Sequence, residues 1–134
     1  MSERILMVDD EAAILQAMAS YFRGLGYEVD CARAREEAEG LLHDRRYACL
    51  IADLRLRAGH GAEGLELVAF ARERWPETRL VVLTAYGSPA AESEARRLGA
   101  DAFLHKPQPL PEVARVVAEA TGRGRPGRAD GGKE

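Results

Sequence analysis

Four short apolar runs in this chain lead into polar residues that can do phosphoryl chemistry. Ile5-Leu6-Met7-Val8 ends in Asp9-Asp10, and Cys49-Leu50-Ile51-Ala52 ends in Asp53. Leu80-Val81-Val82-Leu83 ends in Thr84, and Ala102-Phe103-Leu104 is followed one residue later by Lys106-Pro107. If the runs are neighbouring parallel strands, three carboxylates, a hydroxyl and an ammonium converge at one sheet edge, where open α/β sheets bind their ligands. Three acids held together repel one another and call for a cation. An all-oxygen donor set suits a hard divalent ion such as Mg²⁺.

Each residue taken alone has an ordinary reading. Asp9-Asp10 before a helix can be an N-cap, Asp53 can start a turn, Thr84 can be a strand-end hydroxyl and Lys106 a solvated lysine. Together they supply the parts of phosphoryl transfer, which needs charge neutralisation and placement more than covalent skill. A carboxylate can act as the nucleophile and become an aspartyl phosphate. Asp53 stands alone on the strand between the other groups and is the expected nucleophile. Asp10, helped by Asp9, is expected to hold Mg²⁺, and Lys106 to offset charge on the phosphoryl group. The Thr84 hydroxyl is expected to donate to a phosphoryl oxygen. That bond exists only in the modified state, so it can bias a conformational equilibrium.

The elements that must position these groups alternate regularly. Strands are expected at Arg4–Val8, Glu28–Ala32, Ala48–Ala52, Arg79–Leu83 and Ala102–Leu104. Helices are expected at Glu11–Leu25, Ala34–His43, Gly64–Arg74, from Ser88-Pro89 to Gly99, and at Leu110–Thr121. The first helix carries the stripe Ile14, Met18, Phe22 and Leu25, the second faces inward with Ala38, Leu41 and Leu42, and the fifth with Leu110, Val113, Val117 and Ala120. Such (βα)5 alternation implies a doubly wound α/β fold with a five-stranded parallel sheet and helices on both faces. The flavodoxin-like strand order 2-1-3-4-5 sets Asp9-Asp10 beside Asp53. Residues 1–121 form the expected domain. From Gly122 the chain turns to glycine, proline and charge, the composition of a flexible tail or linker.

The bulk numbers agree with one soluble domain. The chain has 134 residues, 46% of them hydrophobic and 31% charged, with a net charge of −3. That balance gives no basic footprint for nucleic acid. No apolar stretch reaches the roughly 20 residues that span a bilayer, and the N-terminus shows no signal-peptide pattern, so the cytoplasm is the expected location. Cys31 and Cys49 lie in apolar runs and are expected to be buried, reduced thiols.

At this point the chain resembles the receiver domain of two-component response regulators, the chemotaxis-type fold, over about residues 4–120. The resemblance rests on Asp9-Asp10, Asp53, Thr84-Ala85, Lys106-Pro107, and Gly99-Ala100-Asp101 with Phe103 just before the lysine. It implies phosphorylation of Asp53 by a histidine kinase or a histidine phosphotransfer protein. It implies Mg²⁺ held by Asp10, Asp53 and the backbone carbonyl of Arg55, with Asp9 acting through water. It places Phe103 at the family's switch aromatic, which turns inward as Thr84 moves toward the phosphoryl group, and implies a cis Lys106-Pro107 bond. A downstream target protein is expected at the face of helix four, strand five and helix five, which is also the expected surface for a homodimer.

Some positions depart from the family pattern. Its proline four residues after the phosphorylated aspartate is Arg57 here, and its glycine is matched by Gly64, eleven residues on. Ala58-Gly59-His60-Gly61-Ala62 therefore reads as about three extra loop residues, tolerable because loop closure depends weakly on length. Arg55 and Tyr86 occupy positions that in the family flank the path of the hydrolytic water, and their bulk suggests slow self-dephosphorylation. Two other functions compete with a phosphorylation switch. One is a receiver-like domain that works by protein contact without phosphate. The other is a Mg²⁺-dependent phosphohydrolase with an aspartyl intermediate, against which Arg55 stands where such enzymes often carry a second acid. A nucleotide-binding domain is disfavoured, because Asp9-Asp10-Glu11 replaces a glycine-rich phosphate loop.

Overall fold

The computed structural model describes residues 3–56 and 62–122. Ten elements alternate: β1 (Arg4–Val8), α1 (Ala12–Gly24), β2 (Glu28–Ala32), α2 (Arg35–Asp44), β3 (Cys49–Ala52), α3 (Glu63–Arg74), β4 (Arg79–Thr84), α4 (Pro89–Leu98), β5 (Ala102–His105) and α5 (Leu110–Thr121). The strands form one sheet in the order β2-β1-β3-β4-β5, and every pairing is parallel. This is the doubly wound arrangement anticipated from the alternation. Of the lengthened loop, Arg57–Gly61 lie outside the described residues, as do residues 123–134 of the tail.

The sheet is covered on both faces, so its central strands are apolar without interruption, and alternate residues feed two cores. Leu6, Val8, Leu50, Ala52, Leu80 and Val82 pack with Ala38, Leu42, Leu67 and Val68 of α2 and α3. Ile5, Met7, Ile51, Val81 and Leu83 pack with Leu15, Met18 and Phe22 of α1 and Val113 and Val117 of α5.

Helix ends follow local chemistry. Ser88 caps α4 by accepting from the Ala91 N–H at 3.0 Å, with Pro89 in the first turn, and Gly99 closes the helix at φ 125°. The expected stripe of α1 needs one correction. Leu25 lies beyond the helix and is 45% exposed, while Leu15 and Ala19 are buried. Gly26, at φ 103°, turns the chain toward β2 before a further helical turn can bring Leu25 inward. Cys49 is buried as anticipated, but Cys31 is only partly covered, because β2 is an edge strand. Alpha-4 is lightly anchored: Ala95 is its buried residue, with Ala91 and Leu98 partly buried against the core.

Candidate functional site

The sheet's own ladder carries the reactive groups to its carboxyl edge. The Asp9 N–H donates to the Ala32 carbonyl at 3.1 Å, Asp53 N–H to Val8 at 3.1 Å and Lys106 N–H to Thr84 at 2.8 Å. Each residue thus hangs from a carbonyl at the end of the neighbouring strand. Three side chains then steady their own loops by the same two-residue turn. Asp9 Oδ1 accepts from Glu11 N–H at 2.9 Å, Asp53 Oδ1 from Arg55 N–H at 3.2 Å, and Thr84 Oγ1 from Tyr86 N–H at 3.1 Å.

Lys106 joins the acids. Its Nζ donates to Asp9 Oδ2 at 2.6 Å and to Asp53 Oδ2 at 3.0 Å. Asp9 is 3% exposed and Asp53 5%. Charges so deeply buried persist only with close partners. Burial alone would lower the Lys106 pKa, but the hydrogen bonds it donates to Asp9 and Asp53, and their charges, outweigh it and hold the pKa above its ordinary value. The Thr84 hydroxyl, fully buried, donates to Asp53 Oδ1 at 2.7 Å. Asp53 is therefore gripped on both oxygens, by an ammonium on one and by a hydroxyl and an amide on the other.

This geometry bears on two expectations. The Thr84 hydroxyl, expected to donate to a phosphoryl oxygen once one is present, here donates to the bare carboxylate. Phe103 is likewise turned in, 7% exposed, with its ring edge-on to His105 at 5.4 Å between centroids. Gly87 makes room: a Cβ there would sit 3.0 Å from Phe103 Cε1. The second concerns the acids. Asp9 and Asp53 meet directly at Lys106, whereas Asp10 is partly exposed at the rim. Among the described residues no three His, Cys, Asp or Glu side chains stand close enough together to hold a metal ion, and Lys106 bridges the two buried acids. The donor chemistry nevertheless suits a cation: two buried carboxylates share a single ammonium, a third carboxylate stands next in the chain, and all are oxygen donors.

Three further features frame the site. Gly64 lets α3 approach the strand end. A Cβ there would overlap the Asp53 carbonyl and lie 2.7 Å from the Leu54 carbonyl oxygen. The Arg55 guanidinium lies over the Tyr86 ring, 4.2 Å from its centroid, so the two flanking residues anticipated from sequence touch each other. Arg33 was not anticipated. It follows the end of β2 at the same sheet edge, and its Nε and Nη2 donate to the Asp10 carbonyl at 3.2 and 2.9 Å. Continuing the strand-end survey to the second strand would have found it. The Lys106–Pro107 peptide is cis.

Comparison with known proteins gives the same picture. Residues 5–118 match the model of the response regulator receiver domain. The chain is 34% identical over 113 residues to the photosynthetic apparatus regulatory protein RegA of Rhodobacter capsulatus, covering 84% of this chain and 60% of that one. It is 36% identical over 115 residues to the alginate biosynthesis transcriptional regulatory protein AlgB of Pseudomonas aeruginosa, covering 86% and 25%. The chain thus spans only part of the relatives' length. Among solved structures, a CheY-like receiver domain from Methanospirillum hungatei JF-1 aligns with a TM-score of 0.86 at 26% identity, covering 92% of this chain and 96% of that one. A response regulator from Burkholderia pseudomallei, solved with a phosphorylated aspartic acid, calcium ion and citrate, aligns at 0.81 with 27% identity, covering 91% and 70%. A sheet edge that gathers acid, hydroxyl and lysine, and a family match across nearly the whole described chain, lead to one conclusion: this chain belongs to the response regulator receiver domains.

Proposed function

We propose that the chain is a phosphorylation-driven switch that accepts a phosphoryl group on Asp53 from a histidine kinase or a histidine phosphotransfer protein in a Mg²⁺-dependent reaction. The observation that carries this is the bracketing of a buried Asp53 by Lys106 on one oxygen and Thr84 on the other. Receiver domains are regulatory modules of two-component signalling, and this geometry supports the chemistry such a module needs. Asp10, Asp53 and the Arg55 carbonyl would hold Mg²⁺, with Asp9 through water. Bound there, the ion supplies charge neutralisation for the incoming phosphoryl oxygens.

The residues of the chain do the rest. Asp53 Oδ attacks phosphorus in line, the P–N bond to the donor histidine breaks with its electron pair leaving on nitrogen, and a P–O bond forms. Lys106 follows the added charge, which amounts to about −1.5 to −2. Thr84 exchanges its carboxylate acceptor for a phosphoryl oxygen while keeping its bond from Tyr86 N–H. Phe103 and the lightly held α4 register that exchange, and the α4–β5–α5 face then engages a downstream protein or a second copy. Arg55 stacked on Tyr86 screens the acyl phosphate from water and slows its hydrolysis. No helix among the described residues is long and apolar enough to cross a membrane.

The test is direct. With acetyl phosphate or phosphoramidate and Mg²⁺, intact-mass analysis should show one added phosphate on the wild type and none on Asp53→Asn. Omitting Mg²⁺ should abolish the addition. An unmodified wild type under all donors, a competent kinase included, would refute the reading.

A further inference from the structure

A chain of bonds runs from the edge strand into the buried acids. Its first member is Arg33, in the loop between β2 and α2, whose guanidinium donates twice to the Asp10 carbonyl. That carbonyl belongs to the peptide joining Asp10 to Glu11. The N–H of the same peptide donates to Asp9 Oδ1 at 2.9 Å. Asp9 Oδ2 in turn receives Lys106 Nζ, which also reaches Asp53. One peptide plane is thus gripped at its oxygen by Arg33 and aimed by its nitrogen at the buried carboxylate.

Arg33 is itself held. Its backbone N–H donates to Glu37 Oε1 at 3.0 Å, and it directly follows Ala32, whose carbonyl takes the Asp9 N–H. A guanidinium on a carbonyl polarises that peptide and strengthens the donor on its other side. We propose that Arg33 is a positioning residue for the acidic site: by fixing the Asp10–Glu11 peptide it orients the Asp9 carboxylate and sets the site's affinity for a divalent cation. This rests on reading Asp9 and Asp10 as cation-holding acids.

Position and charge predict opposite outcomes. If Arg33 acted only as a nearby positive charge, removing it would tighten Mg²⁺ binding, and Lys would replace it fully. A positioning role needs the planar two-donor fork, which lysine lacks. Arg33 is exposed, so its substitution leaves the core intact.

The experiment uses the full chain and the variants Arg33→Ala and Arg33→Lys. The first readout is amide hydrogen exchange at Glu11 without metal, which should speed up about fivefold in both variants as one modest hydrogen bond is weakened. The second is Mg²⁺ affinity from amide shifts, which should weaken about fivefold in both, below the usual cost of losing a direct outer-shell partner. Unchanged Glu11 exchange in Arg33→Ala, tighter Mg²⁺ binding in Arg33→Ala, or full rescue by Arg33→Lys would each overturn the proposal. If the wild type itself binds no Mg²⁺, the cation reading fails, and the exchange readout still decides the positioning of the peptide.

Discussion

The two ends of the sheet treat polar groups in opposite ways. Near the amino ends of the strands, several polar groups find partners in other segments. The Tyr47 hydroxyl donates to Asp30 at 2.6 Å, which also takes Arg45. Buried Thr78 donates to the Tyr47 carbonyl at 2.8 Å, and the Trp75 indole to Leu42 at 2.6 Å beneath the guanidiniums of Arg46 and Arg74. Asp101 accepts from Leu80 N–H and from Arg72, which also holds the Gly99 carbonyl. At the carboxyl ends, two buried acids share one lysine, and the Thr84 hydroxyl donates to Asp53. One end ties segments together. The other sets two buried carboxylates against one ammonium, an arrangement that suits the cation and phosphoryl group proposed above.

The comparison can be broken from either end. The largest effect is expected from Asp53→Asn, which should abolish phosphate uptake in intact-mass analysis while the fold persists by circular dichroism. Next comes Gly64→Ala, where the added methyl meets the Asp53 and Leu54 backbone. It should cost about 3 kcal/mol in denaturant unfolding, since backbone can yield little. At the opposite end, Asp101→Ala strands the Leu80 N–H and should cost about 2 kcal/mol while phosphate uptake stays at the wild-type rate. A slowed reaction there would show that the two ends are not separate.

Smaller effects sharpen the picture. Replacing Arg55 and Tyr86 together by alanine should shorten the acyl-phosphate lifetime about threefold, given that a cation–π contact of this exposure is worth about 1 kcal/mol. A phosphate that lasts as long or longer in the double variant would remove their shielding role. Lys106 makes a pH prediction. Its folded pKa is raised, so its stabilising contribution is complete below the ordinary lysine value of about 10.4 and fades as pH climbs through the folded pKa. The stability advantage of the wild type over Lys106→Met should therefore hold near neutrality and shrink in alkaline melts. An advantage independent of pH would mean that the ammonium is not what holds Asp9 and Asp53.

Much of this was legible in the chain, and the exceptions have definite causes. Apolar runs of three or four residues leading into Asp, Thr and Lys placed each reactive group at a strand end, because the ladder acts on the residues at its edge. Periodicity misplaced Leu25, since counting every third or fourth residue ignores the turn at Gly26 that ends the helix. Arg33 escaped notice because the strand-end survey passed over the second strand, and its bond to the Asp10 carbonyl shows only once β2 is laid against β1.

What the sequence alone determined is the order of elements, the edge at which they deliver their polar residues, and the identity of those residues. Only the tertiary structure decided which atom faces which. Lys106 sits 97 residues from Asp9 and 53 from Asp53, yet it chooses both. Thr84 points at the bare carboxylate, Arg55 lies on Tyr86, and Arg33 reaches the Asp10 carbonyl. Strand-end placement is a local consequence of backbone pairing. Partner choice among buried charges depends on three or four segments arriving together, and on the cost of leaving any one of them unmatched in a dry interior.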